Sequence, residues 1–513
     1  MLARARIETK TALLTQKDAP QSSEVAVIDI GSNSVRLVVY RLDGRAVIPI
    51  LNEKMMAGLG RDMPRTGKLS PEGVENALDV LKRFATITEC IDLDRIDVVA
   101  TAAVREAKDG AEFVARVKKE TGFSIRVIPG SEEARLSALG VLAGLPEADG
   151  MVGDLGGSSL ELIAISPKGP GAGETFNLGP FALMREEGFN DAHVTAVVDG
   201  ALARATTLNK QGGTFYAVGG AWRALGRIHM ALHDHPLHVL QHYEMSRADV
   251  LELADIVRRQ SKRSLERMFE AAARRADLLP YAAIVLERVM QRGAFENVVL
   301  SSYGLREGVL YEHMNAGARA QHPLIASAEA FGAQVSRARE FGRALGPWVE
   351  PVFAKSEPVF AKPRDKLLRE AACRLADVGG PLHPDQRAEL MFDLVIRAPL
   401  SGLSHPERAF IATAVHHRYT KTAPANAPAF DRLLTEEQQQ AAFVLGNAMR
   451  LGADVSGRSE AVLALFRLGW EKGALVLKTP QGQAHLVNEQ SLRRLTALGA
   501  SMGVETKVAG YGP

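Results

Sequence analysis

The stretch "VAVIDIGSNSVRLVVY" (25–40) places one carboxylate, Asp29, and a turn of small residues inside an otherwise apolar run. Apolar residues on both sides of the turn predict two strands joined as a hairpin. A second stretch, "GMVGDLGGSSLELIAI" (150–165), has the same design. Aligning the two gives the pairs Asp29/Asp154, Gly31/Gly156, Ser34/Ser159 and Arg36/Glu161. An acid followed by a glycine and hydroxyl turn therefore occurs twice in this chain.

The composition bounds the kind of protein. With 513 residues, the chain is too long for one core, and 46% apolar with 24% charged residues is an ordinary globular balance. The net charge of +2 gives no indication of a nucleic-acid partner, and no apolar run is long enough to insert into a membrane. Two distant cysteines favour a reducing compartment, so we expect a cytoplasmic protein.

The order of predicted elements indicates an internal duplication. A hairpin followed by two strand–helix units appears before residue 145 and again after it. We therefore predict five regions, which are a disordered tail (1–23), a first α/β domain (24–145), a second α/β domain (146–320), a mainly helical domain (321–440) and a small α+β domain (441–513).

The two turns have the chemistry of an anion cradle. Glycine allows close backbone approach, and backbone N–H groups with Ser or Asn side chains donate hydrogen bonds to phosphate oxygens. The predicted phosphate-binding residues are Gly31, Ser32, Asn33, Ser34, Gly156, Gly157, Ser158 and Ser159. The acids beside them cannot bind phosphate, but carboxylates hold Mg²⁺, which bridges to phosphate. Two such turns facing one cleft predict a clamp for a metal-bound phosphate chain.

Five motifs in one order extend the argument. They are "VAVIDIGSNSVRLVVY", "VATAAVREA", "IPGSEEARLSALGV", "VGDLGGSSLEL" and "SSYGLREGVLYEHM". Together they resemble the exopolyphosphatase and guanosine pentaphosphate phosphohydrolase family, within the actin, sugar kinase and heat-shock chaperone superfamily. The resemblance runs from about 24 to 315. It implies two ribonuclease H-like (actin-like ATPase) domains with mixed sheets, and a homodimer.

The catalytic base comes from the motif "GSEEAR", which offers Glu132 and Glu133 at a helix start. Successive helical residues point about 100° apart, so only one of the two faces the cleft, and spacing does not choose between them. In the family the second acid is the base, so the resemblance points to Glu133. It also implies that Arg105 lines the phosphate site, where a guanidinium would grip phosphate oxygens.

The metal ligands and the far side of the cleft complete the predicted site. Asp154 and Glu161 are the best Mg²⁺ ligands, and Asp29 is a further acid that could act through water. Gly219 and Gly220 are expected to close the cleft from the second domain. Ser301, Ser302 and Arg306 are also expected to approach it. Whether a monovalent cation such as K⁺ is a further cofactor stays open.

Two other segments look like metal sites and are interpreted as ordinary structure. Residues 229–242 hold five of the 13 histidines, with His229 and His233 four apart, but no Cys or carboxylate cluster accompanies them. The segment "AACRLADVGG" (371–380) resembles the His-Asp motif of metal phosphohydrolases, with Ala376 where the histidine should precede Asp377. We therefore predict a degenerate HD-like helical domain without the metal dyad.

The predicted function is an Mg²⁺-dependent exopolyphosphatase that releases terminal orthophosphate from inorganic polyphosphate through water activated by Glu133. The close alternative is hydrolysis of guanosine pentaphosphate (pppGpp) at the same site. The sequence contains no identifiable guanine-recognition residue, so it does not separate the two substrates. Two further alternatives are an ATP-using kinase of the superfamily and a non-enzymatic polyphosphate or alarmone sensor.

Overall fold

The computed structural model describes residues 22–208, 212–268, 275–333 and 339–511. The tail predicted for 1–23 lies outside the described residues, except for 22 and for Ser23, where the first strand begins. Within the described ranges, no helix combines the length and the apolar character needed to cross a membrane.

The strands are β1 Ser23–Ile30, β2 Ser34–Asp43, β3 Ala46–Met56, β4 Arg95–Ala100, β5 Arg126–Val127, β6 Gly150–Leu155, β7 Leu160–Ser166, β8 Gly169–Phe176, β9 Thr214–Val218, β10 Tyr243–Ser246, β11 Asn297–Leu300, β12 Arg467–Glu471, β13 Ala474–Pro480 and β14 Thr506–Tyr511. The helices are α1 Met63–Thr66, α2 Pro71–Glu89, α3 Ala102–Glu106, α4 Gly110–Thr121, α5 Gly130–Gly144, α6 Pro180–Leu183, α7 Asp191–Leu202, α8 Gly220–Leu232, α9 Arg247–Arg259, α10 Lys262–Met268, α11 Leu279–Arg292, α12 Leu305–His313, α13 Ala316–Ala320, α14 Pro323–Ala333, α15 Arg339–Val349, α16 Lys362–Leu375, α17 Arg387–Arg397, α18 His405–His417, α19 Ala427–Phe430, α20 Glu436–Ser456, α21 Glu460–Leu463 and α22 Glu489–Met502.

Two sheets share one plan. The first has the order β3-β2-β1-β4-β5, and the second has the order β8-β7-β6-β9-β11 with β10 added at its far edge. In each, the hairpin strands are antiparallel and the later strands join in parallel, except that β10 pairs antiparallel with β11. We refer to the first sheet with its helices as the first lobe and to the second sheet with its helices as the second lobe. The repeated order supports the duplication predicted from the sequence.

The central strand β1 is buried on both faces, which explains its nearly continuous apolar run. Ala26 and Ile28 pack among α2 side chains on one face, whereas Val25 and Val27 pack against Leu310 on the other face. Burial on both sides leaves Asp29 as the polar exception near the end of the strand. The strand therefore places the Asp29 carboxylate at the end of the buried run, where the turn begins.

Helices α5 and α12 cross tightly between the two sheets. Two glycines allow the crossing, because any side chain there would clash with the backbone. A Cβ on Gly140 would lie 2.1 Å from the Gly304 carbonyl oxygen, and a Cβ on Gly308 would lie 1.8 Å from the Leu136 carbonyl oxygen. Apolar side chains of α5 pack on the second sheet, although α5 precedes the predicted boundary at 145. The helix that carries Glu133 is therefore held between the lobes.

The remaining chain packs around one core. This core joins α14–α18 and α20 to the small sheet β12-β13-β14 and to α22. The boundary predicted between residues 440 and 441 lies inside α20 (Glu436–Ser456). We therefore propose that residues 323–511 form one packed unit rather than two.

Candidate active site

The two predicted turns line one cleft between the lobes. The lining residues from the first lobe and α5 are Asp29, Gly31, Ser32, Asn33, Ser34, Arg36, Lys54, Thr101, Ala102 and Glu133. Those from the second lobe and α12 include Asp154, Gly156, Gly157, Ser159, Phe181, Gly219, Gly220, Arg223, Arg275, Ser302, Gly304 and Arg306. The turns also touch each other, because the Ser158 hydroxyl lies 3.3 Å from the Ser32 hydroxyl.

The turns have the same backbone geometry. The Gly31 N–H donates to the Ser34 carbonyl at 3.0 Å, and the Gly156 N–H donates to the Ser159 carbonyl at 2.9 Å. The strand registers match as well, since Asp29 pairs with Arg36 and Asp154 pairs with Glu161. The alignment made from the sequence is therefore also a structural alignment.

The carbonyl groups inside both turns are held by neighbouring segments of the chain. The Ser32 carbonyl accepts from the Gly60 N–H at 2.7 Å, and the Gly157 carbonyl accepts from the Phe181 N–H at 2.9 Å. In a trans peptide the C=O and the following N–H point in opposite directions. The N–H groups of Asn33 and Ser158 are therefore turned away from these neighbouring segments, which makes them donors for an anion.

The second hairpin carries two acids, Asp154 and Glu161. Glu161 is 1% exposed, and neither of its carboxylate oxygens has a hydrogen-bond partner among the described residues. The Ser159 hydroxyl is near Glu161 without reaching hydrogen-bonding geometry. Burial, with the nearby charges of Glu133 and Asp154, raises the pKa of Glu161 well above its ordinary value. Burial likewise raises the pKa of Asp154, whose carboxylate accepts from the Ser137 hydroxyl.

This donor set fits a hard divalent cation. A buried carboxylate with no partner is costly unless a positive charge approaches it. Mg²⁺ keeps several waters and binds through one or two carboxylates, so Asp154 and Glu161 suffice for a site. Asp29 is a weaker candidate as a metal ligand, because its carboxylate already accepts from the Arg306 guanidinium at 2.9 Å.

Glu133 reaches the cleft whereas Glu132 does not. Glu133 is 7% exposed, and the Arg105 guanidinium donates to its carboxylate at 3.0 Å. Burial raises the pKa of Glu133 to about 7, although the hydrogen bond from Arg105 opposes the rise. Glu132 instead forms ion pairs with Arg126 and Arg135 on the outer side of α5. Only the second acid is therefore available to the cleft.

Three predicted residues lie behind the cleft wall or beside it. Arg105 does not line the cleft, and its guanidinium donates to Glu133 and to the Ile128 carbonyl, both at 3.0 Å. Glu161 lies beneath the wall, and Ser158 contacts the opposite turn. The direct phosphate contact predicted for Arg105 is therefore not what its position favours, because Nη1 is engaged by Glu133 and Ile128 and Nη2 by Glu106. The contact stays a prediction.

The far side of the cleft depends on glycines. Gly219 has φ +113°, and a Cβ there would lie 2.4 Å from the Leu155 carbonyl oxygen. A Cβ on Gly220 would lie 2.6 Å from the Arg275 guanidinium. Of the three residues of the α12 motif expected to approach the cleft, Ser302 and Arg306 line it, whereas Ser301 is fully buried.

The sequence interpretation did not assign the cations Arg36, Lys54, Arg223 and Arg275 to the site. Two of them could have been found, because Arg36 is the register partner of Asp29 and Lys54 is the register partner of Arg36. Desolvation in the cleft and the neighbouring Arg275 lower the pKa of Lys54 to about 8, although Lys54 is still solvent-exposed. Burial lowers the pKa of Arg223 to about 10.

Comparison with known proteins agrees with this geometry. The Ppx/GppA phosphatase family model matches residues 38–316, and the model for the exopolyphosphatase C-terminal region matches 324–508. A guanosine-5'-triphosphate,3'-diphosphate pyrophosphatase of Photobacterium profundum is 27% identical over 315 residues, which are 58% of this chain and 60% of that relative.

Solved structures resemble the two lobes. An exopolyphosphatase from Cytophaga hutchinsonii is 25% identical with a TM-score of 0.52, over 57% of this chain and 98% of that one. A PPX-GPPA enzyme of Aquifex aeolicus is 25% identical with a TM-score of 0.50, over 57% of this chain and 100% of that one.

These matches confirm the coarser part of the fold prediction. The protein is a mixed α/β protein with two mixed sheets in an actin-like arrangement, followed by a helical region and a small sheet. The HD-like character of the helical region is not supported by them and stays a prediction. Since the family model covers more than half of the sequence, this chain belongs to the Ppx/GppA phosphatase family.

Proposed function

We propose that the protein is an Mg²⁺-dependent phosphohydrolase that releases terminal orthophosphate from inorganic polyphosphate. One observation carries the proposal, which is the buried carboxylate of Glu133 with its pKa raised to about 7 beside a cleft lined by cations. A general base is most effective when its pKa lies near the working pH. Phosphoryl transfer otherwise depends on positioning and charge neutralisation, which the cleft residues supply.

Each group has a role in this scheme. Glu133 accepts a proton from the attacking water, and Arg105 orients the Glu133 carboxylate. The N–H groups of Asn33 and Ser158 and the cations at the rim hold the terminal phosphoryl group. Asp154 and Glu161 would hold Mg²⁺, which when bound supplies neutralisation of the negative charge on the phosphate oxygens.

The alternative substrate is pppGpp, which the printed name of the Photobacterium relative suggests. One residue supports pppGpp as an alternative substrate. Phe181 is the one aromatic side chain among the described residues that line the cleft. An aromatic ring offers a stacking surface for a purine and none for polyphosphate. Phe181→Ala would therefore impair hydrolysis of pppGpp while leaving that of polyphosphate unchanged, if pppGpp is the substrate.

The decisive experiment measures orthophosphate release from long-chain polyphosphate and from pppGpp, with and without Mg²⁺. We expect Glu133→Gln to lower kcat by about 10²–10⁴-fold with a smaller change in KM, because it removes the base and keeps the shape. Glu132→Gln is the matched control, since Glu132 faces away, and we expect it to change kcat by only a few-fold at most. Undiminished turnover in Glu133→Gln would remove Glu133 as the base.

The same assays address the other classes. A kinase would transfer phosphate to an acceptor, and a sensor would bind polyphosphate and release no orthophosphate. The predicted homodimer, the cytoplasmic location and the K⁺ requirement stay predictions.

A further inference from the structure

Two histidines and an aspartate form a cluster on the second lobe, away from the cleft. His229 and His233 lie four residues apart at the C-terminal end of α8, and Asp249 lies in the first turn of α9. One ligand atom from each of the three lies within 4.8 Å of the others. The sequence interpretation set these histidines aside because Pro236 interrupts the segment and because neither Cys nor a carboxylate cluster completes a site. The fold supplies a carboxylate from the following helix.

One ring nitrogen of His229 lacks a partner. His229 is 6% exposed, and its Nδ1 lies 2.7 Å from the Tyr243 hydroxyl. Its Nε2 is buried, has no hydrogen-bond partner among the described residues, and lies 3.9 Å from Asp249 Oδ1. That distance is too long for a hydrogen bond, and buried polar atoms without partners are rare. A cation between His229 and Asp249 would satisfy both groups.

The surrounding groups already orient these ligands. Asp249 Oδ2 accepts from the Ser246 N–H at 2.8 Å in the cap of α9, which leaves Oδ1 facing His229. If the Tyr243 hydroxyl accepts from Nδ1–H, the lone pair of His229 lies on Nε2, which is the usual arrangement of a metal-bound histidine.

We propose that His229, His233 and Asp249 bind a divalent transition metal, with Zn²⁺ the best match, and that the metal joins α8 to α9. Two imidazoles and one carboxylate are a normal Zn²⁺ ligand set, with bonds of about 2.0–2.2 Å and ligand atoms about 3.4 Å apart. Small side-chain rotations would bring the three ligand atoms to that spacing. His233 is exposed, so a water molecule would take the fourth position.

The proposed site is separate from the catalytic cleft. Gly220, at the N-terminal end of α8, lines the cleft, whereas His229 and His233 lie at the opposite end. Next to the cluster, His235 Nε2 lies 2.7 Å from Nδ1 of His405, the first residue of α18. The metal would therefore stabilise the part of the second lobe that contacts the helical region, and we expect it to raise thermal stability rather than turnover.

The test uses the full-length chain without an affinity tag, stripped of metal with a chelator. Co²⁺ titration followed by visible absorption reports the coordination geometry, and Zn²⁺ calorimetry reports affinity and stoichiometry. We expect one ion per chain at this cluster, a Co²⁺ spectrum typical of a four-coordinate site, and a higher melting temperature with Zn²⁺. His233→Ala and Asp249→Asn should abolish this binding, and both positions permit folding because His233 is exposed and Asn can retain the helix cap.

Two further variants make the result specific. Tyr243→Phe should weaken Zn²⁺ affinity by about 10–100-fold without removing a ligand, because Tyr243 orients His229. His238→Ala, in the same segment but outside the cluster, is the matched control and should bind as the wild type does. Absence of stoichiometric binding in the wild type, or binding retained in both His233→Ala and Asp249→Asn, would overturn the proposal.

Discussion

The two hairpins that form the cleft have the same backbone and opposite electrostatics. In the first, Asp29 pairs in register with Arg36 and also accepts from Arg306, so its charge is compensated by cations. In the second, Asp154 pairs in register with Glu161, and the described structure offers that glutamate no hydrogen-bond partner. At one aligned position the first hairpin carries a positive charge, Arg36, and the second carries a negative charge, Glu161.

This difference indicates how a duplicated element can serve a substrate that carries both an anion and a metal. The shared turn geometry offers N–H donors from both sides, whereas the side chains of the two hairpins bind different partners. The cation-rich first hairpin suits the phosphate oxygens, and the acid-rich second hairpin suits the metal. The predictions below test whether the two hairpins really differ in this way.

Among the changes that compare the two hairpins, the largest effect is expected at Glu161. Glu161→Gln removes a charge that a metal would need, so we expect kcat/KM at limiting Mg²⁺ to fall by about 100-fold or more. Without Mg²⁺, the same change should raise the free energy of unfolding by about 1–3 kcal/mol, because the buried carboxylate lacks a partner. Activity as a function of Mg²⁺ concentration and urea unfolding in chelator measure the two effects.

The matched change in the first hairpin is Arg36→Gln. It should raise KM while leaving the Mg²⁺ concentration for half-activation unchanged. If Arg36→Gln and Glu161→Gln alter the Mg²⁺ dependence equally, the proposed division between the hairpins is wrong.

A smaller effect on catalysis is expected at Arg306. Arg306→Gln leaves the Asp29 carboxylate without its cation, and we expect KM for polyphosphate to rise by about 10-fold. Stability should fall by about 3 kcal/mol, because a partly buried ion pair loses one partner. Urea unfolding of Asp29→Asn/Arg306→Gln is the control, and it should recover part of the loss. A double variant no more stable than Arg306→Gln would show that Arg306 acts through other contacts.

The smallest effect is a pH dependence from Lys54, whose pKa is about 8. As the pH rises through 8, the free enzyme loses this positive charge, and the cleft attracts a polyanion less strongly. We expect kcat/KM to fall by about 3- to 10-fold between pH 7 and 9. Lys54→Arg stays charged in this range and should lack the decline. If Lys54→Arg showed an identical decline, the pH dependence of kcat/KM would arise from another group.

Local sequence patterns predicted many of the residues that line the cleft. The acids and both turns followed from residues adjacent in the chain, and the family resemblance selected Glu133 over Glu132. Arg223 and Arg275 were missed, because only tertiary packing brings Arg223 on α8 and Arg275 in the turn before α11 into the cleft. Asp249 was missed for the same reason, since only the packing of α9 beside α8 brings it near His229.

By itself, the sequence determined the repeated hairpins and the residue types at each turn, because these depend on alternation and on turn chemistry within a few residues. Only the tertiary structure decided that Glu133 is buried near pKa 7, that Arg105 supports it from behind, and that Asp29 has a cation while Glu161 has no hydrogen-bond partner among the described residues. Burial and charge pairing arise from segments hundreds of residues apart, such as Arg306 and Asp29, so no local pattern contains them.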